Sequence, residues 1–253
     1  MLRRFLERER VIVLGGVIGL VALAWLQVWR RAGGMSMDAA RPWQMPWSLA
    51  DLWATALMWG VMMTAMMLPS AAPTLLIFAS VQRRRRAQGE AATPTGLFAA
   101  GYLVIWLAWS LLAAGLQGVL QAFLLLSPQL ASTSALLAAA FLLLAGLYQF
   151  TPWKDACLVQ CQSPLGFLLT RWREGPRGAL YMGLSHGAYC VGCCWALMGL
   201  LFVGGVMNVL WIAALAVFVL LEKAVARGPW LSRAAGLGLI GWAVYLLRSG
   251  LTS

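Results

Sequence analysis

Residues 50–79 read ADLWATALMWGVMMTAMMLPSAAPTLLIFA, a run whose one charged side chain is Asp51. At about 1.5 Å of helix rise per residue, it is longer than the roughly 30 Å hydrocarbon core of a bilayer. Pro69 and Pro73 lie inside it and are expected to kink or end the helix. Similar runs occur at Val11–Trp29, Gly96–Leu126, Leu130–Phe150, Ala179–Val203, Val206–Ala226 and Leu231–Leu247. A bilayer leaves no lipid-exposed backbone unpaired, and the alternation of a β-barrel is absent, so these runs are expected to be helices. The long Gly96–Leu126 run should tilt or extend past the bilayer.

The composition agrees. Of 253 residues, 62% are hydrophobic and 11% charged, against about 25% charged in an ordinary soluble domain. Disorder is excluded by the same figures. Five cysteines are too few, and odd in number, for a disulfide scaffold. No repeat of fixed period is present, and no soluble segment of useful size remains. The expected fold is all-α, a polytopic transmembrane bundle of about seven spans forming one integral membrane domain over residues 1–253.

Charge sets the expected orientation. With a cytoplasmic N-terminus, 15 of the 19 basic residues fall on the inner side, among them Arg83–Arg86, Lys154, Arg171, Arg173, Arg177 and Lys223. Arg30, Arg31, Arg41 and Arg248 fall outside. The positive-inside rule therefore favours N-in, C-out, a multi-pass protein of a bacterial inner (plasma) membrane. The net charge of +11 calls for anionic lipid headgroups, not nucleic acid. The first span has features of a secretory signal, but Glu7, Glu9 and its apolar length fit a retained anchor better.

Sulfur is concentrated in three places. In the fifth run, Met182, His186, Cys190, Cys194 and Met198 are spaced by four, and Cys193 follows Cys190 by three. On a helix Met182, His186, Cys190 and Cys193 fall within about 80° of arc, with Cys194 at the margin. His186 is the sole histidine. Thioether, thiolate and imidazole together suit Cu(I), with Zn(II) as the other fitting ion, and suit hard cations poorly. The plain alternative is packing, because cysteine also behaves as a small hydrophobe.

In the second run, Met58, Met62, Met63, Met66 and Met67 lie within ten residues. Met63, Met66 and Met67 share a helix face, while Met58 and Met62 point elsewhere. Counting rise from the span ends places Met63 and Cys190 at one depth, with Met66 and His186 further inward. The third place follows the fourth run, where Cys157-x-x-x-Cys161 puts two sulfurs on one face of a cytoplasmic helix. Lys154 nearby would favour thiolate there. Met35, Met37 and Met45 offer an external thioether catch for Cu(I). Glu222, at the inner end of the sixth run, is either functional, as embedded acids often are, or simply paired with adjacent Lys223 or snorkelling.

Other motifs are negative. Gly236-x-Gly238-x-x-Gly241 has no preceding strand, so it reads as helix packing and not as a dinucleotide site. No phosphate-binding loop is present. One histidine cannot build a bis-histidine haem or a three-histidine zinc site.

Four blocks carry a resemblance. They are Trp59-x-x-Met62-Met63-x-Ala65-Met66-Met67-x-Pro69-Ser70, Thr151-Pro152-x-Lys154-x-x-Cys157-x-x-x-Cys161-x-x-Pro164, His186-Gly187-x-Tyr189-Cys190-x-Gly192-Cys193-Cys194-Trp195-x-Leu197-Met198, and Met207-Asn208 through Glu222-Lys223. Together, from about Met35 to Arg227, they resemble a bacterial domain-of-unknown-function family of predicted metal-binding integral membrane proteins. That resemblance implies an inner-membrane protein that binds metal, without naming a reaction.

The leading expectation is a membrane protein holding a soft metal, copper foremost, for transport or for delivery to a partner metalloprotein or from a metallochaperone. Cys190, Cys193 and His186 are the expected ligands, completed by Met63, Met66, Met67 or Cys194, with Cys157 and Cys161 exchanging the ion on the cytoplasmic side. Rival expectations are a membrane thiol-disulfide oxidoreductase, a copper-dependent oxidase component and a non-catalytic assembly subunit.

Overall fold

The computed structural model describes residues 2–38, 48–127, 130–225 and 230–251. Among them the chain is helical, and each of the seven apolar runs forms a helix. These are α1 (Leu2–Asp38), α2 (Leu49–Ala87), α3 (Thr95–Ala122), α4 (Ala135–Tyr148), α7 (Gly175–Gly199), α9 (Val209–Ala224) and α10 (Trp230–Leu251). Three shorter helices lie between them: α5 (Pro152–Gln162), α6 (Pro164–Arg171) and α8 (Leu201–Gly204).

Length separates the seven. Five helices are long and apolar enough to cross a membrane: α1, α2, α3, α7 continued by α8, and α10. α4 and α9 have 14 and 16 residues, or about 21 and 24 Å, short of the 30 Å that an upright crossing needs. The chain turns by 68° between α4 and α5, and α5 then packs against α7. The segment after α4, expected as a cytoplasmic excursion, is thus folded into the bundle.

α2 also departs from expectation. It continues as one helix of 39 residues through Pro69 and Pro73. Each proline removes one backbone donor, yet the buried neighbours on both sides hold the helix in register. Its start is fixed by a capping box in which Ser48 Oγ accepts from Asp51 N–H and the Asp51 carboxylate accepts from Ser48 N–H, closing two of the free donors at the helix end.

Glycine sets the closest helix approach. On α7, a Cβ at Gly183 would collide with the Phe98 carbonyl of α3, and one on Gly101 of α3 would collide with the Leu180 carbonyl of α7. Gly183 and Gly187 form a small-xxx-small pair, which lets two backbones approach where a side chain would hold them apart. α10 meets α4 in the same way at Gly236 and Gly146, so helix packing accounts for that glycine; Gly238 and Gly241 have open space around them.

The distribution of polarity is inverted relative to a soluble bundle. Leu112, Leu136, Leu210 and Leu237 are exposed, whereas Lys154, His186, Glu222 and Lys223 are buried. Buried charge must be paired or hydrogen-bonded to persist, so those four side chains direct attention to the bundle centre.

Candidate metal centre

The stripe on α7 faces inward: Met182, His186, Cys190, Cys193, Cys194 and Met198 are all buried. Cys190 is where the helices converge. Its Sγ accepts from Lys223 Nζ of α9 at 2.9 Å and lies 3.1 Å from the Tyr102 hydroxyl of α3. Lys223 Nζ also donates to Ser70 Oγ of α2 at 3.1 Å, and the Tyr102 hydroxyl donates to the Met67 carbonyl at 3.0 Å. Tyr102 and Lys223 thus link Cys190 to the Met67–Ser70 turn of α2.

The other thiols gather around it. Cys193 Sγ and Cys194 Sγ both donate to the Cys190 carbonyl, at 3.1 and 2.9 Å. Cys161, buried on α5, lies within interaction range of Cys190 and Cys193. Four cysteines from two helices thus occupy one neighbourhood, and all five in the chain are free thiols. Cys161 joins this central group because the bend after α4 carries α5 onto α7. Cys157, half-buried one turn earlier, sits with its Sγ 2.7 Å from where a Cβ on Gly192 would stand. Gly192 leaves the room that this sulfur fills.

His186 is one turn from Cys190 in a different setting. Its ring packs among Phe98, Tyr102 and Phe167, with centroids 6.0, 5.8 and 5.0 Å away. Nε2 lies 3.4 Å from Thr74 Oγ1, while buried Nδ1 has no hydrogen-bond partner among the described residues. Met63, Met66 and Met67 are buried on α2, and α2 is tied to the thiol group at one remove, through the Met67 carbonyl that accepts from Tyr102 and the Ser70 hydroxyl that accepts from Lys223. Among the described residues, no three His, Cys, Asp or Glu side chains form a ready-made cage for one ion; the thiols are engaged with one another and with carbonyls. Met45 lies outside the described residues, as do the side chains of Met35 and Met37.

The charges beside the thiols are arranged differently from the sequence expectation. Glu222 pairs not with its neighbour Lys223 but with Lys154 of α5, whose Nζ lies 2.7 and 2.9 Å from the two carboxylate oxygens. Lys154 is 0% exposed and Glu222 1%. Glu222 also accepts from Ser232 of α10 at 2.5 Å, and its carbonyl accepts from Gln162 at 2.9 Å. Consecutive residues on a helix point about 100° apart, so Glu222 turns toward α5 and α10 while Lys223 turns toward Cys190. Lys154 is accordingly taken up by the carboxylate, and the cation beside a thiol is Lys223. Tyr102, Ser70 and Thr74 also border the site. Nothing in the sequence singles out Tyr102 or Thr74, whereas an embedded lysine such as Lys223 is itself a functional pointer.

Residues 56–246, most of the chain, match the family PpoB2, described as a copper chaperone. The chain belongs to that family. No curated protein and no solved structure matches it. Copper handling is the family's stated business, and the buried thiol group is the feature of this fold whose chemistry suits it: soft sulfur donors with a cation at hand.

Proposed function

We propose that this member of the copper chaperone family is an integral membrane protein that holds Cu(I) at the thiol group and passes it to a partner metalloprotein. The observation that carries the reading is the convergence on Cys190: Cys161 from α5, Cys193 and Cys194 from its own helix, and the Lys223 ammonium from α9. Soft thiolates select Cu(I), and a buried cation complements the negative charge of a metal dithiolate, which would otherwise be costly to bury.

Cys161, Cys190 and Cys193 are the ligands this reading favours, with Cys194 in reserve. Loading requires Cys193 and Cys194 to leave the Cys190 carbonyl, a small change because thiols are weak donors. His186, with its unpartnered Nδ1, stands one turn along as a nitrogen donor on the route. Cys157, half-buried, is the thiol nearest the surface of the group and the natural exchange position. The inverted polarity supports placement in the bilayer. The arginines support the N-in orientation in a bacterial plasma membrane, although buried Lys154 and Lys223 serve the interior and leave thirteen of the fifteen inner basic residues as topological charge.

The test is anaerobic Cu(I) titration of the purified protein against a competing chelator. Wild type should retain copper in a sulfur-rich shell by X-ray absorption. The Cys190→Ala, Cys193→Ala double variant should lose that copper, and unchanged binding in it would overturn the assignment.

A further inference from the structure

The thiol group leaves two of the clustered methionines unexplained. Met58 and Met62 lie off the face of α2 that bears Met63, Met66 and Met67, which for a simple core helix would leave them as ordinary packing. Instead they share a cavity with a third methionine. Met58, Met62 and Met207, the last just before α9, line one small cavity whose other walls are Val28, Val61 and Val206. Three of its six described lining residues are methionines, drawn from two distant parts of the chain.

Size and polarity limit the guest. The cavity measures about 10 Å³, near the minimum that admits a single water-sized occupant. A lipid chain is far too large. A water needs two to four polar partners, and among the described residues no lining side chain is polar in the hydrogen-bonding sense. Hard cations need oxygen ligands. What a small space with three thioethers does suit is one bare, soft, monovalent ion.

We propose that Met58, Met62 and Met207 form a second Cu(I) site made only of thioethers. This inference rests on the copper-handling reading above and adds a position that reading does not contain. Met58 and Met62 precede Met67 by about 13 and 7 Å along α2, toward the helix end opposite Arg83–Arg86, so the site lies between that end and the thiol group. Three neutral thioethers leave the charge of the ion uncompensated in apolar surroundings, whereas the thiols supply negative charge. The thioether site is therefore the weaker of the two, and an ion captured there moves downhill to Cys190.

The experiment is anaerobic Cu(I) titration of the full chain in detergent, with sulfur coordination read by X-ray absorption. Wild type should show a tight class and a weaker class of bound Cu(I). The Met58→Leu, Met62→Leu, Met207→Leu variant, whose substitutions nearly conserve volume, should lose about one equivalent from the weaker class and keep the tight class. The Met35→Leu, Met37→Leu, Met45→Leu variant should keep both. Retention of the weaker class in the first variant, or its loss in the second alone, would overturn this inference while leaving the thiol reading intact. A wild type and a Leu variant that both lack the tight class would instead defeat the thiol reading.

Discussion

The thiol group around Cys190 and the methionine cavity around Met58 both present sulfur inside the same bundle, but they are built in opposite ways. The thiol group is embedded in polar contacts: Lys223 and Tyr102 reach it, Ser70 accepts from the same lysine, and the Lys154–Glu222 pair braces the helices that carry Cys161 and Lys223. The methionine cavity is lined, among the described residues, by valines and methionines. The first can carry thiolate charge because the Lys223 ammonium lies beside it; the second supplies no counter-charge, so an ion there would be held more weakly. Electrostatic surroundings, more than the element sulfur, decide what each region can bind and how tightly.

The buried ion pair is where this contrast can be broken most severely. Glu222→Gln leaves Lys154 buried without its carboxylate, and breaking a buried pair by removing one partner costs about 3–5 kcal/mol. Thermal unfolding in detergent should show that loss, and the Met58 cavity should keep its weak copper class in whatever fraction remains folded. Lys223→Met removes the cation from Cys190 without disturbing the Lys154–Glu222 pair. A hydrogen bond to a charged group is worth about 1.5–3 kcal/mol, so Cu(I) affinity of the tight class should fall by roughly tenfold to a hundredfold. The weaker class should not change; equal losses in both classes would erase the distinction drawn between them.

Gly183→Ala tests the frame that holds the thiol group. Its Cβ would meet the Phe98 carbonyl, and overpacking of this kind costs about 1–3 kcal/mol. Stability should drop while the number of copper ions bound stays the same. Tyr102→Phe is the mildest change. It removes one hydroxyl between Met67 and Cys190, worth about 1 kcal/mol, and should loosen the tight class slightly with no change in its sulfur count.

Much of the frame is legible in the chain because it depends on local quantities. Apolar run length marks all seven helices, and periodicity alone puts His186, Cys190 and Cys193 on one inward stripe of α7. Beyond one helix, counting residues fails. Rise along two helices can match Cys190 to Met63 in depth, but it cannot foresee that Tyr102 and Lys223 link Cys190 to the Met67–Ser70 turn of α2. The segment bearing Cys157 and Cys161 reads as a cytoplasmic excursion because it is more polar than a span; nothing local announces that a 68° turn at Thr151 will press it against α7. Glu222 and Lys223 look like partners because they are adjacent, and adjacency on a helix separates side chains.

The sequence by itself determined that the chain is a set of apolar helices rich in soft donors, since both properties are sums over neighbouring residues. Only the tertiary structure decided which donors share a space: Cys161 with Cys190, Lys223 with Cys190, Met207 with Met58 and Met62. Those meetings join residues 29 to 149 positions apart. They are set by helix crossings at glycine contacts and by one bent connection, and no periodicity along a single helix encodes the distance between two.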